Sequence, residues 1–304
     1  MLAHVGGGGS PWAYHLHPEV WALVIVVAAG YWSVATNAGP QHAAEGVRPV
    51  TRGQAAIFAA GLTFLFIGAS YPIHDIAERY LYWVHMVQHL LFTLVAPPLL
   101  ILGTPPWMRR WILQRTHLSG VVKRVCRPVA AISHAPFFVN YTAPHELVHF
   151  LAHNLLFWAS MIMWFPVLNK DPEYPTMSPP LKIGYLFLQS IIPNVPVAFL
   201  AFADQVVYRH YGTVPRPFTM TAVEDQQLAG GIMKTCGTLI LWSVILVVFW
   251  QWYCDEHDDD LAYMRRTVPA RPRVPSEDDA IPDVLTWDHV EQELARSKPP
   301  ASTP

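Results

Sequence analysis

Long apolar runs alternate with short polar breaks along this chain, and the runs are long enough to cross a bilayer. Roughly 17–25 apolar residues span about 30 Å of hydrocarbon as a helix. Runs of that kind fall at Val20–Thr36, Gly53–Tyr71, Leu81–Leu102, His145–Leu168, Ile183–Ala203 and Leu228–Cys254. A seventh candidate, Val129–Asn140, is short and broken by Pro136. Prolines also fall in the third run (Pro97, Pro98) and the sixth (Pro193, Pro196), so bends are expected there. The pattern predicts an all-α, polytopic membrane helix bundle of about seven transmembrane helices occupying residues 1–254. Beyond Cys254 the character changes to an acidic DEHDDD run and a Pro-rich stretch, which predicts a mostly disordered tail over 255–304. Within that tail a short capped helix is expected near 286–296, with Trp287, Val290 and Leu294 on one face. It reads as a helix lying on a surface or, alternatively, as a docking peptide.

Composition supports the membrane reading. Of 304 residues 52% are hydrophobic and 14% charged, and the mean hydropathy is +0.24, too apolar for an ordinary soluble domain. A net charge of −2 gives no reason to expect nucleic acid as a partner. The three cysteines are far apart and form neither a disulfide framework nor a metal cluster. The first residues lack a basic segment followed by an apolar run, so no cleaved signal peptide is expected.

Charge then orients the bundle. With seven spans, sixteen Lys and Arg fall on one side and only Arg79, Arg209 and Arg216 on the other, Lys234 lying within a span. The positive-inside rule places the N-terminus outside and the C-terminus inside. Without the weak span the split is about even, and the two histidine clusters described next would sit on opposite faces.

Fifteen histidines are many for a chain with twenty Lys and Arg. His85 and His89 lie near the outer end of the third span, on one helix face about 6 Å apart along the axis. His145, His149 and His153 form a second ladder at the outer half of the fifth span. His74 and Asp75 precede the third span, and Asp225 begins DQQLAGGIM at the mouth of the last. Polar side chains in a membrane are costly and mark function. Two His series at matching depth point to a metal site, against the plainer reading of a hydrogen-bonded polar network. His145 and His153 are about 12 Å apart along the axis, and metal–nitrogen bonds are about 2 Å. One adjacent pair of the ladder would therefore join His85 and His89. Imidazole suits zinc, copper, iron and nickel. Met86, Met220 and Met233 read as packing residues before ligands, and Cys236 as core.

The stretch HELVH also satisfies H-E-x-x-H, in which two His hold zinc and the Glu activates water. That alternative, an intramembrane zinc metalloprotease using His145, Glu146 and His149, leaves His85 and His89 unused. A haem b redox protein is a third reading, but one His per helix would suffice for it.

The runs PIHD (72–75), HMVQHLLFTLVAPPLLILGTPPW (85–107), HELVHFLAH (145–153) and DQQLAGGIM (225–233) resemble, in the same order, the cytochrome c oxidase assembly factor family CtaG of the seven-span bacterial membrane type. The resemblance covers about residues 55–253. It implies a non-enzymatic factor in the bacterial cytoplasmic membrane that delivers copper to haem–copper oxidase. Oxidase subunits and other copper chaperones would be partners, and His85, His89, His145 and His149 would match the family pattern. His153, His74, Asp75 and Asp225 are auxiliary candidates. Zinc is the alternative metal. Lys234 departs from the pattern, and a pairing with Asp225 or Glu224, or snorkelling outward, is expected for it.

Overall fold

The computed structural model describes residues 12, 14–42, 48–116, 146–169, 171, 173–174, 176–192, 194–208, 212–213, 219–267 and 287–297. Every regular element among them is a helix. In chain order these are α1 (Pro18–Asn37), α2 (Arg52–Ala69), α3 (Ile73–Arg79), α4 (Tyr82–Leu90), α5 (Ala96–Gly103), α6 (Pro106–Arg115), α7 (Glu146–Leu168), α8 (Pro179–Ile191), α9 (Asn194–Ala201), α10 (Ala222–Thr267) and α11 (Trp287–Arg296). Among the described residues five segments are long and apolar enough to cross a membrane: Pro18–Asn37, Arg52–Arg79, Tyr82–Gly103, His149–Leu168 and Ala222–Asp258. Their outward apolar side chains, such as Ile25, Trp32 and Leu246, are exposed, as expected for helices solvated by lipid. The weak candidate at 129–140 lies outside the described residues.

Local sequence explains where helices start and stop. Thr51 and Gln54 form a reciprocal capping box at the start of α2, and Thr221 and Glu224 do the same for α10. The predicted sixth span is divided into α8, which ends at Ile191, and α9, which starts at Asn194. The predicted last span ends at Cys254, but α10 continues through the acidic run to Thr267. No Gly or Pro occurs from Thr238 to Val268, so nothing breaks the helix where its side chains change from apolar to charged. Contacts divide the chain into two compact units, Met1–Trp252 and Tyr253–Pro304. In the second, α11 runs Trp287–Arg296 with Trp287 and Leu294 exposed.

The third span is not one regular helix. After α4 the backbone widens to a π-helical turn at Leu91–Val95, then resumes as α5. Pro97 and Pro98 cause this, because neither can donate an N–H to the preceding turn. The carbonyl of Thr93 is left without its helical donor, and the indole Nε1–H of fully buried Trp164 on α7 donates to it at 2.9 Å. A proline pair in one helix thus creates the acceptor that docks the other.

α4–α5 and α7 run parallel. His85 of α4 meets His149 of α7 at one end. Ile101, Trp164 and Val167 share a core cluster further along, and Arg110 after α5 pairs with Asp171 after α7 at the opposite end. α2 packs tightly on α5. A Cβ at Gly103 would collide with the backbone of Phe58, while Tyr31 of α1 donates to the Gly103 carbonyl at 2.8 Å.

Candidate metal centre

Three helices supply the site. α3 carries His74, Asp75 and Glu78; α4 carries His85, Gln88 and His89; α7 carries His149 and His153. Within each helix the four-residue spacing stacks the side chains on one face. The first turn of α4 is held from α10. Fully buried Asp225 accepts from Tyr82 N through Oδ2 at 3.0 Å and from Trp83 N through Oδ1 at 2.9 Å. These are two of the N–H groups a helix start leaves unpaired. Gln88 is almost wholly buried; its amide nitrogen donates to Gly68 O at 2.9 Å and to His74 Nδ1 at 3.1 Å. That ties α4 to the end of α2 and to α3.

The side chains converge. One ligand atom from each of Glu78, His85, His149 and His153 falls within 4.8 Å of the others. Glu78 Oε1 is 3.0 Å from His149 Nε2 and 3.5 Å from His85 Nδ1. His89 Nε2 lies 2.9 Å from His85 Nε2, and His153 Nε2 lies 2.9 Å from His149 Nε2. Across the helices the ring centroids of His89 and His153 are 4.8 Å apart, and those of His85 and His153 5.1 Å.

Nitrogens bound to one tetrahedral ion at about 2 Å sit about 3.3 Å apart. The observed 2.9 Å pairs need only open slightly to take an ion between them. His149 meets Glu78 and His153 through Nε2, while its buried Nδ1 has no hydrogen-bond partner among the described residues. The donor set of imidazoles and one carboxylate therefore fits a borderline divalent ion such as copper or zinc. Met86 is buried. It belongs to a core cluster with Tyr82, Leu200, Tyr208 and Ala229.

Most candidates from the sequence fall among the described residues. His85, His89, His149 and His153 come together. His145 lies outside the described residues, as does the side chain of Glu146. His74 borders the cluster through Gln88. Asp75 sits one layer out, where its buried carboxylate meets His15 Nδ1 at 3.3 Å, His17 Nε2 at 3.0 Å and Arg79 at 3.9 Å. Asp225 is engaged with the backbone of α4 and is not in the four-residue group. Glu78 is the member that sequence reasoning missed. It stands four residues after His74, the same spacing that drew attention to the other two helices.

A polytopic helical membrane protein with a histidine and glutamate cluster between its helices is the class defined so far. Residues 28–255 match the family described as cytochrome c oxidase caa3 assembly factor (Caa3_CtaG), and the chain belongs to that family. Membership in an assembly-factor family points to a non-catalytic role. The chain is also similar to uncharacterized proteins of Mycobacterium bovis and Mycobacterium tuberculosis, each 27% identical over 204 residues, covering 56% of this chain and 29% of theirs. An uncharacterized protein of Mycobacterium leprae is 24% identical over 209 residues, covering 57% of this chain and 30% of its own length. The chain thus spans less than a third of the length of these curated relatives. No solved structure gives a significant match.

Proposed function

We propose that this chain assists assembly of a haem–copper cytochrome c oxidase by holding copper, as cargo, at Glu78, His85, His89, His149 and His153. The observation that carries the reading is the convergence of Glu78, His85, His149 and His153 from three helices to within 4.8 Å, in a chain of the caa3 assembly-factor family. A cluster of five neutral or partly charged polar side chains is costly between membrane helices unless a ligand compensates it. Nitrogen and oxygen donors suit copper(II) or zinc; the oxidase connection favours copper.

The proposed setting is the bacterial cytoplasmic membrane, with oxidase subunits and other copper chaperones as partners. Seven spans, N-terminus out and C-terminus in, remain the proposed topology. The parallel course of α5 and α7 supports that count. In that topology the third and fifth spans cross in the same direction, as α4–α5 and α7 do. The cluster then lies toward the outer face, where copper is loaded.

Elemental analysis of the purified chain, with oxidase activity of the host membrane as second readout, tests the proposal. Bound copper, lost together with oxidase activity in His85→Ala/His89→Ala and weakened at least tenfold in Glu78→Gln, is the expected result. Bound zinc, with a peptidase activity abolished by Glu146→Gln and oxidase assembly untouched, overturns it in favour of a hydrolase.

A further inference from the structure

Lys234 is the one basic residue inside the last apolar span, and no carboxylate among the described residues pairs with it. Glu224 accepts the backbone N–H and hydroxyl of Thr221 at 2.8 and 2.9 Å. Asp225 accepts the N–H groups of Tyr82 and Trp83. Among the described residues Lys234 makes no ion pair; its ammonium sits over the Phe202 ring, 5.9 Å from the centroid. A lysine in a membrane span that lacks an acidic partner is a functional residue in search of an anion.

That anion has a place to bind. Lys234 lines a groove of about 1000 Å³ between α8, α9 and α10, at the upper end of small-molecule sites. Lys234, Thr238 and Trp242 follow one another at four-residue spacing, so α10 presents a stripe that grades from cationic to hydroxyl to aromatic over about 12 Å. The facing walls are apolar, led by Phe187, Phe199 and Phe202. Among the described residues no acidic side chain lines the groove. It lies at the division of the predicted sixth span into α8 and α9. At the far end of α9 the gap is closed, because a Cβ on Gly230 would be 2.7 Å from Ala201 N. Phe199 and Phe202 are each 76% exposed, so the groove opens sideways, where a bilayer would be.

We propose that this groove binds one anionic phospholipid, its phosphate on Lys234 and an acyl chain along the aromatic wall. Helical side chains lean toward the helix N-terminus, which carries the ammonium toward the headgroup level while Trp242 stays deeper. The positive charge without a carboxylate selects an anion, the lining selects hydrocarbon, and the sideways opening selects a molecule that arrives from the bilayer. The site shares no residue with the histidine cluster, so either reading can fail alone.

The test uses the delipidated full chain in detergent, titrated with phosphatidylglycerol or phosphatidylcholine and read by native mass spectrometry. One phosphatidylglycerol is expected to stay bound in preference to phosphatidylcholine. Lys234→Ala is expected to weaken it fivefold or more, on the order of one lysine–headgroup contact, while Lys234→Arg retains it. Trp242→Ala weakens both lipids. A thermal unfolding midpoint of Lys234→Ala in detergent, expected unchanged, checks the fold. Equal binding of both lipids, no effect of Lys234→Ala, or carbodiimide cross-linking of Lys234 to an acidic side chain of a co-purifying membrane protein in place of lipid would each overturn the proposal.

Discussion

Asp225 distinguishes a residue that binds metal from one that holds the binding helix in place. Its carboxylate is fully buried and accepts two backbone N–H groups at the start of α4, at 3.0 and 2.9 Å. Asp225→Asn keeps the size and one acceptor oxygen but turns an NH2 donor toward an N–H. One charge-assisted bond is lost, worth about 1.5–3 kcal/mol. Asp225→Ala removes both acceptors and leaves two buried donors unpaired, for about 3–6 kcal/mol. α4 is only nine residues long, and His85 and His89 follow the capped turn directly. Loosening that turn should therefore reach the cluster. Chemical denaturation in detergent is expected to rank wild type above Asn above Ala by these amounts. Copper titration is expected to show affinity falling in the same order, with stoichiometry and the visible and paramagnetic spectra of bound copper unchanged in Asp225→Asn. If Asp225→Asn leaves stability within about 0.5 kcal/mol but alters the copper spectrum, Asp225 is a ligand and the capping argument is wrong.

Other expectations follow from the same packing. Trp164→Phe strands the Thr93 carbonyl that Pro97 and Pro98 leave open, and should cost about 1–3 kcal/mol by thermal or chemical denaturation, with an added contribution from the smaller ring. Gly103→Ala drives a methyl into the Phe58 backbone and should destabilise by about 1–3 kcal/mol. Gly184→Ala meets nothing within 4 Å and should be neutral or stabilising by up to about 1 kcal/mol. Asp171 accepts from Arg110 Nε at 3.0 Å and from its NH2 group at 2.8 Å, and this bond holds its carboxyl below the usual carboxylate value. A depressed carboxyl contributes stability that is complete above the unfolded-state value and is lost as pH falls through the folded one. Wild-type stability should therefore drop with acid below about pH 4, and Asp171→Asn should remove that part of the slope in a denaturation series across pH.

Five of the apolar runs could be read as membrane-length helices, because a bilayer imposes length and hydrophobicity directly. They could not read the interruptions. Pro97 and Pro98 announce a break in the third span, but the widened turn at Leu91–Val95 depends on Trp164, which lies 71 positions away from Thr93 and supplies the missing donor. The acidic run after Cys254 looks like a helix stop on hydropathy alone, yet helix continuity depends on backbone-compatible residues, and Asp, Glu and His satisfy that in water. The histidine ladders were legible for a similar reason: four-residue spacing is a local property of one helix. What brings the ladders together is not local. It takes Asp225 from α10, Gln88 reaching Gly68 and the Trp164 lock to fix α4 beside α7. Glu78 shows where a better reading was available. His74 and Glu78 repeat on α3 the four-residue spacing of His85 and His89 and of His149 and His153. A carboxylate replaces the second imidazole, so a search for histidine pairs passes over it. In a membrane the substitution is informative. A divalent ion held by neutral imidazoles alone keeps its full charge in a low-dielectric surrounding, whereas one Glu among them offsets half of it. Among the described carboxylates Glu78 is the one that joins the histidines, and it is the residue expected to make the cluster a cation site.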